Sequence, residues 1–324
     1  MRTVQLEGFA QPVGAIGFGC ASLGSRVSAR QGLQALEEAH AAGVNWFDVA
    51  PAYGAGNAEV ILGAFARGKR QRIVICTKVG LAPPQRNALL KPLYAAARPL
   101  LGALGGLRKA FRRIPSTRNV SIPLTPQLLR ESLESSLRRL GTEQVDVFAL
   151  HKPALHDIGR DDILRTLQDL RREGKIGHAG VAGDLQAAQL ALRHPEVYTL
   201  LQVPDDPQTQ PLEQLRAEAR RPLAMVSHSI LGVAGTRELM LQALQARGAA
   251  GRELLVALGY GGDAGHAVAE LLIDRALAAN AHGLVLLSMF DKRHRDTNLR
   301  RAAMPLRPDM PARVAELLAA AAPA

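Results

Sequence analysis

The sequence predicts an α/β fold, a (β/α)8 TIM barrel with long loops on the C-terminal face of the sheet. Three observations carry this. Short apolar or β-rich runs alternate with helix-patterned runs along the chain, about eight times, and such alternation builds a parallel sheet. The length of 324 residues suits eight units in one domain, 1–324. The competing doubly wound sheet would favour a G-x-G-x-x-G turn after its first strand. Here Gly17-Phe18-Gly19 runs into Cys20, Ala21 and Ser22.

The elements follow in order. Residues 13–18 are an apolar run closed by Gly19. A helix over 29–42 has Leu33, Leu36 and Ala39 on one face, and Gly43 stops it. Residues 44–47 read as a buried strand, 58–66 as a helix and 72–77 as a β-rich strand. Thr125 caps the next helix, Pro126 takes its first position and Gly141 ends it. Strand 145–150, helix 161–172, strand 176–181 and helix 186–192 continue the rhythm. Strand 198–203, helix 211–219, strand 223–227, helix 266–279 and strand 283–287 complete it. Two stretches interrupt it: 82–123, a basic insertion, and 232–265, a long loop with a helix-like run at 238–247 and a glycine cluster. Both follow strands, on the side where a barrel carries its function.

Composition narrows the class. Apolar residues make up 47% of the chain, enough for a sizeable core. No apolar run approaches the roughly 18 residues of a membrane span, and 1–12 lacks the apolar core of a secretory signal. Two cysteines, Cys20 and Cys76, suit a reducing compartment. A cytoplasmic enzyme is the expectation. The net charge of +11 is local: 82–123 holds eight basic residues and no acid, and 291–301 holds five against two. A nucleic-acid coat would spread its charge more widely, and aromatic residues for base stacking are scarce in 82–123. No nucleic-acid partner and no metal are expected.

Four polar residues fall at or just beyond strand ends: Asp48, Tyr53, Lys78 and His151. In a barrel they converge on one mouth. An aspartate keeps a lysine ammonium charged. An ammonium beside a phenol favours phenolate, which predicts a Tyr53 pKa below the usual value of about 10. Such a tyrosine exchanges a proton with a carbonyl oxygen, while a neutral histidine orients that oxygen. The set suits carbonyl reduction with hydride from a cofactor.

On these residues the chain resembles the aldo-keto reductase family. The matching motifs are Gly17-Phe18-Gly19, the run from Gly43 through Asn45-Trp46-Phe47-Asp48 to Tyr53-Gly54, and Asn57-Ala58-Glu59 through Gly63. Thr77-Lys78-Val79-Gly80, Leu137 to Gly141, Val145 to His151, and Gly174-Lys175-Ile176 with Gly180-Val181 continue it. The likeness is strong over about 13–183. It implies a (β/α)8 barrel that uses NADPH, favoured over NADH, to reduce an aldehyde or ketone or to oxidise a sugar-like alcohol. Tyr53 then becomes the acid/base, Lys78 and Asp48 its tuning pair, and His151 the orienting group.

The resemblance also implies cofactor contacts at Gly19, Cys20, Asp48, Gln202, His228, Ser229, Leu231, Ser288, Arg293, His294 and Asn298. This half departs from the family. Ala182-Gly183 stands where Ser-Asn is usual, Pro204-Asp205-Asp206 replaces a Tyr-Asn pair, and His228 stands where an aromatic ring stacks. A guanidinium fork near Arg293 would suit a 2′-phosphate. These departures keep a second reading open, a nucleotide-binding barrel acting as a regulatory or interaction subunit with little turnover. For 82–123, whose 98–113 stretch has basic amphipathic character, the readings are an insertion over the mouth, a solvated loop, or an anionic-membrane contact.

Overall fold

The computed structural model describes residues 1–82, 120–232 and 235–319. Eight parallel strands close into a barrel, each paired with the next in chain order. They are β1 (Ile16–Gly19), β2 (Trp46–Asp48), β3 (Val74–Val79), β4 (Val145–His151), β5 (Ile176–Ala182), β6 (Tyr198–Pro204), β7 (Ala224–His228) and β8 (Leu284–Leu287). The expected strands all form, most displaced by one or two residues toward their C-terminal ends.

Helices cover the outside: α1 (Ala29–Ala41), α2 (Asn57–Ala66), α3 (Pro126–Leu140), α4 (Asp161–Arg172), α5 (Leu185–Ala191) and α6 (Pro211–Glu218). Their ends follow local chemistry. Ser28 and Gln31 form a capping box on α1. Thr125 accepts from the Leu128 amide ahead of Pro126, and Gly141 closes α3 in the left-handed conformation.

The connection 232–265 holds the expected helix-like run and one helix more. It contains α7 (Thr236–Ala246) and α8 (Ala249–Ala257), leading into α9 (Ala264–Ala279). The physical reason is a second apolar core. Met240, Leu244, Leu255 and Tyr260 pack with Leu271 and with Val314 of a C-terminal helix, so these turns bury surface away from the barrel. That helix is α11 (Met310–Ala319), preceded by α10 (Lys292–Ala303).

An N-terminal hairpin, Thr3–Val4 against Val13–Gly14, lies beside the N-terminal end of the barrel. Its Phe9 ring packs 5.6 Å from Trp46 and stacks 4.1 Å from His178. At the other end, Leu81–Ala82 pairs antiparallel with Val120–Ser121, tying the two ends of the basic insertion together beside β3. Residues 83–119, and the readings made for them, lie outside the described residues.

Candidate active site

Alternation along β3 turns Cys76 and Lys78 to one side and Thr77 to the other. Thr77 donates to the buried carboxylate of Glu59 on α2 at 2.6 Å. The Arg139 guanidinium, from α3, holds the second oxygen of Glu59 at 2.6 Å. The two motifs around Glu59 and Arg139 therefore brace β3 from behind, immediately before Lys78. Arg139 also covers Gly56, where a Cβ would stand 3.1 Å from its Cδ.

On the inner side, Lys78 is fully buried and its Nζ lies 2.6 Å from Asp48 Oδ1 and 3.2 Å from the Val49 carbonyl. Nζ also sits 5.6 Å from the centre of the Tyr53 ring. Tyr53 is half-buried at the start of a turn whose Gly54, Ala55 and Gly56 all have positive φ, at 57°, 55° and 89°. Glycine makes such a run accessible. His151, at the end of β4, meets the Tyr53 ring edge-on at 5.9 Å and 88°. The structure thus gathers all four predicted residues at the C-terminal ends of β2, β3 and β4.

Electrostatics sharpen the roles open to each group. Burial alone would push the Lys78 ammonium down; the Asp48 charge outweighs it and holds the ammonium above its ordinary range. Burial raises Tyr53 to about 12, with the Lys78 charge opposing and the Asp48 charge adding. This corrects the expectation of an acidified phenol: the ammonium acts in the expected direction, but desolvation of a phenolate is the larger effect. Tyr53 is a protonated donor at neutral pH. His151 is pushed down to about 2 by burial and by the Lys78 and Lys152 charges, so it is a neutral imidazole. His228, at the end of β7, is held at about 4, again chiefly by burial.

The residues implied for a nicotinamide cofactor all lie in or follow the C-terminal halves of barrel strands, with unequal capacity for the task. Gln202 in β6 is buried with Oε1 lacking a partner, and Asp48 Oδ2 is likewise unpaired. A buried acceptor of this kind suits the amide donor of a nicotinamide. His228 is half-buried and its Nδ1 is 2.8 Å from Ser229 Oγ, where the backbone turns to a φ of 59°. Leu231 packs against the core. Gly19 ends β1, and Cys20 is fully buried, donating its amide to the Asp48 carbonyl at 2.8 Å while burial pushes its thiol up. Cys20 therefore offers no nucleophile.

Around α10 the fit is narrower. The Asp291 carboxylate caps that helix, accepting from the Arg293 and His294 amides. Arg295 is tied to Glu38 and to the Met289 carbonyl at 3.2 Å, and buried Asn298 donates to Ser288 O at 3.3 Å. Ser288 and the side chains of Arg293 and His294 remain exposed. Asp205, at the departure after β6, makes a buried ion pair with Arg275 of α9. Two contributors went unread in the sequence. Lys152, with a φ of 51°, acts electrostatically on both His151 and His228. The Glu59–Arg139 brace was visible only as motif residues without a role.

The depressed histidines make stability depend on pH. Above pH about 6.5, His228 and His178 are neutral whether the chain is folded or not. Below it the unfolded chain takes up protons that the folded chain refuses until about pH 4. Stability is therefore lost as pH falls from 6.5 toward 4, by up to about 1.4 kcal/mol per pH unit for each histidine. Thermal melts should show Tm falling from pH 7 to pH 5.5, and falling less in a His178→Asn/His228→Asn variant. Equal slopes for the two proteins would contradict the assignment.

A closed barrel of eight parallel strands, with Asp48, Tyr53, Lys78 and His151 gathered at the C-terminal ends of its strands, defines a (β/α)8 protein. The sequence model of the Aldo/keto reductase family matches residues 15–204, more than half of the chain, and the protein belongs to that family. It is similar to the NADH-specific methylglyoxal reductase of Escherichia coli K12, 30% identical over 155 residues, covering 46% of this chain and 40% of that protein. It is also similar to D-threo-aldose 1-dehydrogenase of a Pseudomonas species, 30% identical over 205 residues and 59% of each chain. The chain thus spans about 40 to 60% of the length of these relatives. A solved aldo-keto reductase from Klebsiella pneumoniae, in complex with NADPH, shares the fold. Its TM-score is 0.67, with 21% identity, over 98% of this chain and 94% of that one.

Proposed function

We propose that the protein is a nicotinamide-dependent oxidoreductase that reduces an aldehyde or ketone, or oxidises a sugar-like alcohol in reverse, with NADPH favoured over NADH. The observation that carries this is the fully buried Lys78–Asp48 pair beside a protonated Tyr53, with neutral His151 edge-on to the phenol. The bound dihydronicotinamide would supply hydride to the carbonyl carbon.

Every other part of the step falls to the chain. A carbonyl oxygen seated between Tyr53 and His151 accepts hydrogen bonds from both. As negative charge develops on that oxygen, Tyr53 transfers its proton, and the stronger base, an alkoxide, takes it from the weaker one. The phenolate left behind is stabilised by the Lys78 ammonium, which Asp48 keeps charged. His151, neutral throughout, can donate without competing for the proton. Gln202 Oε1 is the acceptor available for the cofactor amide, and His228 the ring available beside it. Arg293 is the exposed cation at the first turn of α10, with the exposed His294 ring beside it in sequence, and these two are the basis for favouring NADPH.

The test is turnover of an aldehyde and ketone panel, read from dihydronicotinamide absorbance with NADPH and NADH in parallel. Reduction of at least one carbonyl substrate, with the higher kcat/KM for NADPH, is expected. Quenching of Trp46 emission by NADPH without turnover on any substrate would instead favour the regulatory reading, to which the Ala182-Gly183 departure also points. No binding of either nucleotide at millimolar concentration would remove both.

A further inference from the structure

We propose that a cleft at the N-terminal end of the barrel, remote from the catalytic mouth, binds a small phosphomonoester-type oxyanion. The cleft has a volume of about 180 Å³ and lies where the hairpin turn Glu7-Gly8 meets the beginnings of β5, β6 and β7. That volume compares with cavities of about 150 Å³ that admit a benzene-sized ring, so an anionic head with a small body fits.

The lining divides into two parts. Leu192, Pro195, Leu201 and Leu223 contribute apolar surface. Arg171, Arg220 and Arg221 contribute charge, against the single acid Glu7. Among the described residues none of the three guanidinium groups has an ion-pair partner, although many other arginines of this chain are paired. Arg171 lies in the last turn of α4, where a cation complements the helix dipole. Arg220 and Arg221 lie between α6 and β7, outside any helix, so that explanation does not reach them. Three guanidinium groups around one cleft are the standard chemistry for a doubly charged oxyanion, because each fork offers paired donors to two oxygens.

The floor is preorganised. His178 stacks on Phe9 at 4.1 Å, and its Nδ1 is 3.0 Å from Thr199 Oγ1, so the ring is fixed. Gly8, at a φ of 81°, lets the hairpin turn lie against that ring, and a Cβ there would stand 3.0 Å from His178 Cε1. The imidazole and the Thr199 hydroxyl, paired with each other, bring no negative charge that would repel an anion.

Isothermal titration with phenyl phosphate at constant ionic strength tests the site on the full chain. Saturable one-to-one binding is expected. Arg220→Ala/Arg221→Ala should weaken it at least about tenfold, since each charge-assisted hydrogen bond contributes roughly a tenfold factor or more. Both side chains are exposed, so this variant should melt within a few degrees of the parent. An Arg30→Ala/Arg252→Ala control, with equal loss of charge elsewhere on the surface, should bind as the parent does. Tyr53→Phe should bind equally, which separates this site from the mouth. No saturation by about 10 mM, or equal weakening in the control, would overturn the proposal. Pelleting with phosphatidic-acid vesicles without any binding of phenyl phosphate would overturn it in favour of a lipid surface.

Discussion

Tyr53→Phe is expected to lower kcat for carbonyl reduction by between about a hundredfold and ten-thousandfold, the range a positioned proton donor contributes. The variant loses one oxygen and little else. The phenylalanine ring keeps the edge-on contact with His151 at 5.9 Å and its place over the Lys78 ammonium at 5.6 Å. Among the described residues the Tyr53 hydroxyl has no hydrogen-bond partner, so its removal strands no buried group, and stability should change by no more than about 1 kcal/mol. Nucleotide affinity, followed by Trp46 emission, should stay within about twofold. The pH profile adds an independent reading. With Tyr53 raised to about 12 and His151 lowered to about 2, the chemical step should show no decline on the alkaline side until well above pH 10. Undiminished kcat in the phenylalanine variant would remove Tyr53 as the donor. A basic limb near neutrality would show that some other group carries the proton.

Much of this site is legible in the sequence, because its parts are local. Asp48, Lys78 and His151 end short apolar strands, and strand ends in a parallel barrel share one face whatever the packing outside. Caps were legible for the same reason. Thr125 ahead of Pro126 and glycine at 141 are decided within one turn of chain. What escaped depends on tertiary neighbours. The direction of the Tyr53 shift is a contest between a nearby ammonium and the desolvation of a phenolate, and only the first has a signature in sequence. Thr77, Glu59 and Arg139 come from β3, α2 and α3, far apart in the chain, and the charges of Glu59 and Arg139 read equally well as surface residues. Helix α8 begins Ala249-Ala250-Gly251 after Gly248, a composition that reads as loop. It forms because Leu255 finds a second core built partly from the last helix of the chain. The cofactor half was legible as a set of positions at the mouth, but not in its occupancy: nothing local announces that Asp291 would take up the Arg293 and His294 amides.

Lys78→Met is expected to cost about 3–5 kcal/mol of folding stability, the usual penalty for stripping one partner from a buried ion pair. Lys78 is fully buried and Asp48 is 3% exposed. Asp48 Oδ2 already lacks a partner, so loss of Nζ leaves the whole carboxylate without a cation. The Val49 carbonyl loses its 3.2 Å donor as well. Against a typical total of 5–15 kcal/mol this is a large fraction, visible as a lower urea midpoint with little change in slope. The double variant Asp48→Asn/Lys78→Met removes both charges, and it should regain part of the loss because no ion remains uncompensated. Activity should not follow. In the double variant the phenolate left by Tyr53 has no ammonium beside it, so kcat should stay at the low level of Lys78→Met while the urea midpoint recovers. That split separates two roles of one pair. A pair that served only the fold would return activity together with stability, and a pair that served only the reaction would leave Lys78→Met as stable as the parent protein. Either result would refute the assignment made here, in which two buried charges hold each other in place and one of them faces the phenol.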